Sequence, residues 1–140
     1  MSAAERETFL AGLHVGVVAI PAAEAGQAPL SAPVWYDYEP GGNYWFLTGR
    51  TSLKGKLLQV DGKLTLVAQQ EAFPYAYVSL EGTIVGIRDA TKDDDTRPMA
   101  HRYLGAEQGD VYTEATAPTS DSIRVEVRPD RWLTVDYSKQ

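Results

Sequence analysis

The chain has no cysteine, and only two histidines and two methionines in 140 residues. Without thiols, disulfides and thiolate metal sites are excluded. His14 and His101 stand far apart and form no metal-binding motif. Long apolar runs are missing too, and nothing approaches the roughly 20 residues that cross a bilayer. Positive charge is scarce: 13 Lys and Arg face 19 Asp and Glu, a net charge of −6. A nucleic-acid binder needs a basic face to displace counterions, so neither nucleic acid nor membrane is an expected partner. The N-terminus carries Glu5 and Glu7 around Arg6 with no apolar segment behind it. It does not read as a secretory leader, and cytoplasm is the expected location.

What is present is a hydrophobic content of 44% and a charged content of 23%, as in soluble globular proteins. The length fits one domain, residues 1–140, with one core.

The most informative stretch runs through Trp45, Phe46, Leu47, Thr48, Gly49, Arg50, Thr51, Ser52, Leu53, Lys54, Gly55 and Lys56. It reads as an apolar strand, a tight polar turn and a helix over residues 52–60. Gly49 allows the turn, and Thr51 or Ser52 caps the helix. Free amides at that helix start and the Lys54 ammonium would converge on an anion such as phosphate. The spacing is not that of a Walker loop, and a capped surface helix with solvated lysines is the plainer alternative. Arg50, Lys54, Lys56 and Lys63, against Asp61 alone, make a basic island in an acidic protein. Such an island suits a small anionic ligand better than a polymer.

Elsewhere, Ser2 and Glu5 form a capping box that opens a helix over residues 3–11, ended by Gly12. Strands are expected at 14–20, at 30–38 with Pro33 near its start, and at 44–48. Further strands are expected at 63–70, at 75–88 with a bend near Gly82 or Gly86, and at 122–137. A helix over 97–104 follows Asp93, Asp94 and Asp95, stops at Gly105, and precedes a short helix at 109–117. The three aspartates lack the glycine and terminal glutamate of a calcium loop, so they read as a solvated helix start. His14 reads as a capping or surface residue and His101 as structural. Hairpin-length connections between strands, with few helices, predict a mainly β fold: a small antiparallel barrel with peripheral α-helices.

The ordered set Val15-Gly16-Val17-Val18-Ala19, Pro33-Val34-Trp35-Tyr36, Leu47-Thr48-Gly49, Ser52-Leu53-Lys54-Gly55-Lys56, Pro74 through Gly82, and Arg102-Tyr103-Leu104-Gly105 resembles one family. It is the pyridoxamine 5′-phosphate oxidase-like, FMN-binding split-barrel family, in its flavin/deazaflavin oxidoreductase branch. The resemblance spans most of the chain. It implies a homodimeric split β-barrel with the cofactor in a groove between subunits. Carried over residue by residue, Val34, Trp35 and Tyr36 would lie along the ring system, and Leu47 and Thr48 would contact it. Ser52, Leu53 and Lys54 would hold the phosphate, with Lys56 and Arg50 nearby. Gln69 or Gln70 would meet the polar edge of the ring, and Trp132 would come from the partner subunit. Tyr75, Tyr77 and Arg102, together with Tyr36 and His14, would be donors toward the substrate; no catalytic residue stands out. Leu53 departs from the family by replacing a basic residue. Residues 128–132 lack the histidine of true pyridoxamine phosphate oxidases, so that reaction is not expected. The implied cofactor is deazaflavin coenzyme F-420, with flavin mononucleotide as the alternative. The implied activity is hydride transfer to an electron-poor small molecule: an unsaturated carbonyl, a quinone or a tetrapyrrole. A non-catalytic cofactor-binding protein is the remaining alternative.

Overall fold

The computed structural model describes residues 1–139. Seven strands form one sheet: β1 (Gly16–Ile20), β2 (Leu30–Val34), β3 (Tyr36–Tyr38), β4 (Tyr44–Gly49), β5 (Lys63–Gln70), β6 (Ala76–Asp89) and β7 (Ser122–Asp136). Their order is β2-β1-β5-β6-β7-β4-β3, and every pairing is antiparallel. The sheet therefore begins with β2 and ends with β3, yet only Trp35 separates those strands in the chain. Its two edges have to meet, so the sheet curls into a barrel split at Trp35.

The curl is carried by β6 and β7, the longest strands, whose register breaks between Glu81 and Gly82 and between Ile84 and Gly86. Such irregularities bend a strand and raise its twist. Gly82 is required at the first: a Cβ there would lie 2.6 Å from Val127 Cγ1 and 2.8 Å from the Arg128 carbonyl. Alternate residues point inward, as the strand period of two demands. Val18, Leu66, Val78, Leu80, Tyr36, Tyr44, Phe46, Val125 and Val127 are sealed from water. Each large side chain so buried contributes about 1.5–3 kcal/mol.

Helix α1 (Ala3–Ala11) starts at the expected capping box, with Ser2 Oγ accepting from the Glu5 amide and Glu5 Oε1 accepting from the Ser2 amide. It buries Leu10 completely. His14 lies 2.9 Å from the Phe9 carbonyl and stacks on the Phe9 ring at 4.5 Å, a helix-end role. Helix α2 (Leu53–Leu57) follows β4. A single π-helical turn (Lys92–Thr96) leads into α3 (Arg97–Leu104) and α4 (Ala106–Thr116), which pack on one another.

Four expectations change. The strand at 30–38 is two strands on opposite edges, because Trp35 leaves one edge and enters the other. The helix at 52–60 ends at Leu57, since Leu58 is already extended. The short helix at 109–117 begins at Ala106, directly after Gly105 at φ 83°. Asp95 is not solvated: it is fully buried, while Asp93 and Asp94 are exposed.

Candidate functional site

Where the split in the barrel lies, a cleft of about 430 Å³ opens. One wall is the strand end bearing Pro33, Val34 and Trp35. A second is the end of β4, with Leu47, Thr48 and Gly49, continued by Lys54. The helical pair closes the third side with Met99, Tyr112 and Thr116, and Ser120 and Ser122 complete the rim. Trp35 lies parallel to Tyr103, centroids 5.0 Å apart, and Tyr112 meets it at 5.5 Å and 50°. The cleft thus holds both a braced aromatic surface and an ammonium.

The turn carrying Lys54 is stiff. Ser52 Oγ donates to the Gly49 carbonyl at 2.7 Å, accepts from the Gly55 amide at 3.0 Å, and lies 3.3 Å from Thr48 Oγ1. Gly55 presses its backbone onto this turn. A Cβ at that position would fall 2.1 Å from the Gly49 carbonyl and 2.7 Å from that of Arg50. The Leu53 and Lys54 amides find no acceptor among the described residues.

The structure brings Val34, Trp35, Leu47, Thr48 and Lys54 together in this cleft, with Ser52 buttressing it from behind. The other residues singled out in the sequence lie elsewhere. The Tyr36 ring is wholly buried, its hydroxyl donates to the Leu10 carbonyl at 2.7 Å, and burial pushes its phenol far above the ordinary range. Its backbone is occupied as well, by Tyr103 and Arg102. Arg102 points away from the cleft and ties together the carbonyls of Tyr36, Ala11 and Gly12. Arg50 is paired with Asp89, Leu53 is 73% exposed, and Lys56 faces solvent. Lys63 bonds Thr83 and Asp130. Gln69 pairs across the sheet with Tyr77, while Tyr75 meets exposed Phe73 edge to face. Trp132 faces inward beneath α1, with the Arg6 guanidinium 4.8 Å above its ring.

Thr96, Met99, Tyr112, Thr116, Ser120 and Ser122 were not legible as site residues, because nothing local places the α3–α4 pair over the Trp35 gap. The single sequence hint was Tyr103, within Arg102-Tyr103-Leu104-Gly105. Its hydroxyl donates to the His14 carbonyl at 2.6 Å and accepts from the Tyr36 amide, linking the segment before β1 to β3. No group of three His, Cys, Asp or Glu side chains suited to a metal occurs among the described residues. A second hollow of about 460 Å³ lies beside α1, but its carboxylates are engaged, Glu5 with Lys139 and Asp136 with Ser138.

No family model matches the chain, and no curated protein matches it in sequence. Solved structures do resemble it. A conserved hypothetical protein from Mycobacterium tuberculosis superposes with a TM-score of 0.78 at 22% identity, over 99% of this chain and 87% of the other. A protein described as an F420 reductase gives 0.70 at 16% identity, over 91% and 94%. An FAD binding protein from Mycobacterium smegmatis gives 0.63 at 13% identity, over 96% of both chains. The chain shares with them a mainly β split-barrel fold.

Proposed function

We propose that the protein is an oxidoreductase that holds reduced coenzyme F-420 in this cleft and presents it to an electron-poor small molecule. The observation that carries the reading is one cleft lined by both Trp35 and Lys54, in a fold shared with a protein described as an F420 reductase. The residues fit such a group. The volume lies within the range of cofactor pockets, the aromatic surface suits a planar ring, and the ammonium and free amides suit a phosphate.

When bound, the deazaflavin supplies the hydride. The chain's own contribution is position and charge. Trp35, braced by Tyr103 and Tyr112, would orient the ring, and Val34 and Leu47 would exclude water from it. Thr48 and Ser122 would offer it hydroxyls, and Lys54 would hold its phosphate. Neither a carboxylate nor an imidazole lines the cleft among the described residues; the Tyr112 phenol, the Lys54 ammonium and solvent at the open side are the proton sources available to the acceptor.

Fluorescence titration tests this. Saturable binding of the deazaflavin at micromolar or lower concentration, tighter than that of flavin mononucleotide, is expected. The reverse order would move the assignment to the flavin, and binding without turnover of any electron-poor alkene would leave a non-catalytic binding protein. Lys54→Ala should weaken binding by about tenfold or more, the worth of one charge-assisted contact of about 1.5–3 kcal/mol. Full affinity in that variant would remove the phosphate from Lys54.

Homodimerisation belongs to the same proposal. The outward residues of five strands align in one row, Pro33, Val17, Val67, Ser79 and Leu133. Tyr77 and Val135 flank it, and Val17, Leu133, Tyr75 and Tyr137 are 39–60% exposed. A contiguous apolar sheet face of this kind marks an interaction surface. Pairing through it would also bring Gln69, Tyr75 and Tyr77 to the partner's side. Leu133→Arg is expected to halve the mass seen in sedimentation; a wild-type monomer would refute the dimer.

A further inference from the structure

The cleft is almost free of charge. Of the side chains that line it, only Lys54 is ionic among the described residues. The arginines on the elements around it are already engaged. Arg50 pairs with Asp89, Arg88 and Arg124 share Asp95, and Arg97 holds Asp110 and Glu114. Arg102 is bonded to backbone carbonyls. In the whole chain, Lys54 and Lys56 alone among Lys and Arg have no bonded or stacked partner within the described residues, and Lys56 faces solvent. On the outer sheet face that a dimer would use, Arg131 is bound to Glu81 at 2.6 Å. The mouth is uncharged as well. Val15 and Tyr112 line the cleft and are 55% and 42% exposed, so an incoming molecule meets a branched apolar side chain and a phenol there.

We propose that the acceptor is uncharged: the cleft takes a neutral enone or quinone and rejects an acceptor bearing carboxylates, such as a tetrapyrrole with acidic side chains. The inference rests on the oxidoreductase reading above and narrows its acceptor class. With the cofactor in place its phosphate occupies Lys54, and no second cation of the cleft is left for the acceptor. The acceptor gains one hydride, hence two electrons, and negative charge develops on its carbonyl oxygen. One proton, from the Tyr112 phenol, the Lys54 ammonium or solvent, then completes the reduction. For a quinone the balance is quinone plus reduced deazaflavin giving hydroquinone plus oxidised deazaflavin, with the proton left on the oxidised ring returned to solvent. A carboxylate on the same molecule would add a second negative charge with nothing to meet it. An unpaired charge taken out of water is costly, and like charges repel more strongly where water is excluded. The net charge of −6 opposes its approach too.

The experiment uses the protein loaded with reduced deazaflavin and three acceptors built on one ring: a naphthoquinone with a propionate side chain, its methyl ester and its primary amide. The side chain is remote from the ring carbonyls, so the three differ in charge and polarity and little in electron deficiency. Oxidation of the cofactor is followed by absorbance, the rate without protein is subtracted, and kcat/KM is compared. The ester and the amide should both be used about tenfold or more better than the acid. Val15→Lys places a cation at the exposed mouth and should raise the acid-to-ester ratio by about tenfold, the worth of one charge-assisted contact.

An acid used as well as the ester would overturn the charge rule. So would an amide that falls with the acid, since polarity and not charge would then be rejected, and so would a ratio that Val15→Lys leaves unmoved. In each of these cases the oxidoreductase reading would stand. Failure of the cofactor to bind, or binding with none of the three acceptors reduced, would overturn that reading and the acceptor rule with it.

Discussion

Asp95→Ala is expected to lower the unfolding free energy by about 2–4 kcal/mol, the worth of the charge-assisted hydrogen bonds that it removes, at about 1.5–3 kcal/mol each and discounted because Arg88 is half exposed. Asp95 has no exposed side-chain surface and is bonded by both nitrogens of the Arg88 fork, at 2.7 and 2.9 Å. Arg124 reaches it at 3.0 Å and the Thr91 amide at 2.7 Å. Burial alone would raise its pKa, but the bonds from Arg88, the Thr91 amide and Arg124 outweigh it and hold the carboxyl far below the usual range. The cluster fastens the π-helical turn to β6 and β7. Arg124 is itself seated on the Trp45 ring, 4.0 Å from its centroid. Against a typical total of about 5–15 kcal/mol, a loss of that size is a large fraction of the stability.

The pH dependence follows from the depressed folded-state pKa. The contribution is fully present above the unfolded carboxylate value of about 3.9, and is lost as pH falls from there through the folded value. Urea denaturation of wild type and variant should therefore show a constant difference between about pH 5 and 8 that narrows only below about pH 4. A difference under about 1 kcal/mol at neutral pH would show that Arg88 and Arg124 do not depend on this carboxylate. Because the turn leads into Thr96 and Met99, the variant should also loosen the helical wall of the cleft.

The second large effect is expected at Arg102. Its Nε donates to the Tyr36 carbonyl at 3.0 Å, and its Nη2 lies 3.2 Å from the Ala11 carbonyl and 2.9 Å from that of Gly12. The remaining nitrogen approaches Asp37 at 3.5 Å. One planar fork thus joins the end of α1 to β3 across the gap beside Trp35, and Tyr103 bridges the same gap one residue later. Arg102→Ala leaves these carbonyls short of a donor and should cost about 2–4 kcal/mol, at about 1–3 kcal/mol for each group left unsatisfied. Arg102→Lys should recover little of it, because a point charge cannot reproduce the fork. Urea midpoints measure the loss, and titration of the folded fraction should show cofactor affinity within about threefold of wild type. Unchanged stability with a raised KM for an acceptor would return Arg102 to the substrate role that the family resemblance implied.

These two residues show where sequence reasoning reached and where it stopped. The capping box at Ser2 and Glu5, the alternation in β5 and β7, and the glycines at the irregularities of β6 are local patterns, and local patterns are what a sequence displays. The turn from Gly49 to Lys54 was legible for the same reason: glycine, hydroxyl cap and lysine act on neighbours in the chain. Asp95 read as one of three solvated aspartates, because its partners Arg88 and Arg124 come from strands distant in sequence. Arg102 read as a substrate donor because nothing near it in the chain shows that three backbone carbonyls converge on it.

The sequence by itself determined the antiparallel β character, the absence of thiol chemistry and the composition of the turn from Gly49 to Lys54. Each depends on residue type and short-range spacing alone. The tertiary structure decided the rest. The barrel closes at Trp35 because the sheet order sends β2 and β3 to opposite edges. Tyr36 becomes core and Trp35 becomes cleft because side chains alternate across that crossing. Lys54 is the lone charged residue lining the cleft among the described residues, because Asp89 occupies Arg50 and Lys56 faces solvent. All of these pair residues far apart in the chain, and the energy that selects them appears only once the sheet has curled and excluded water.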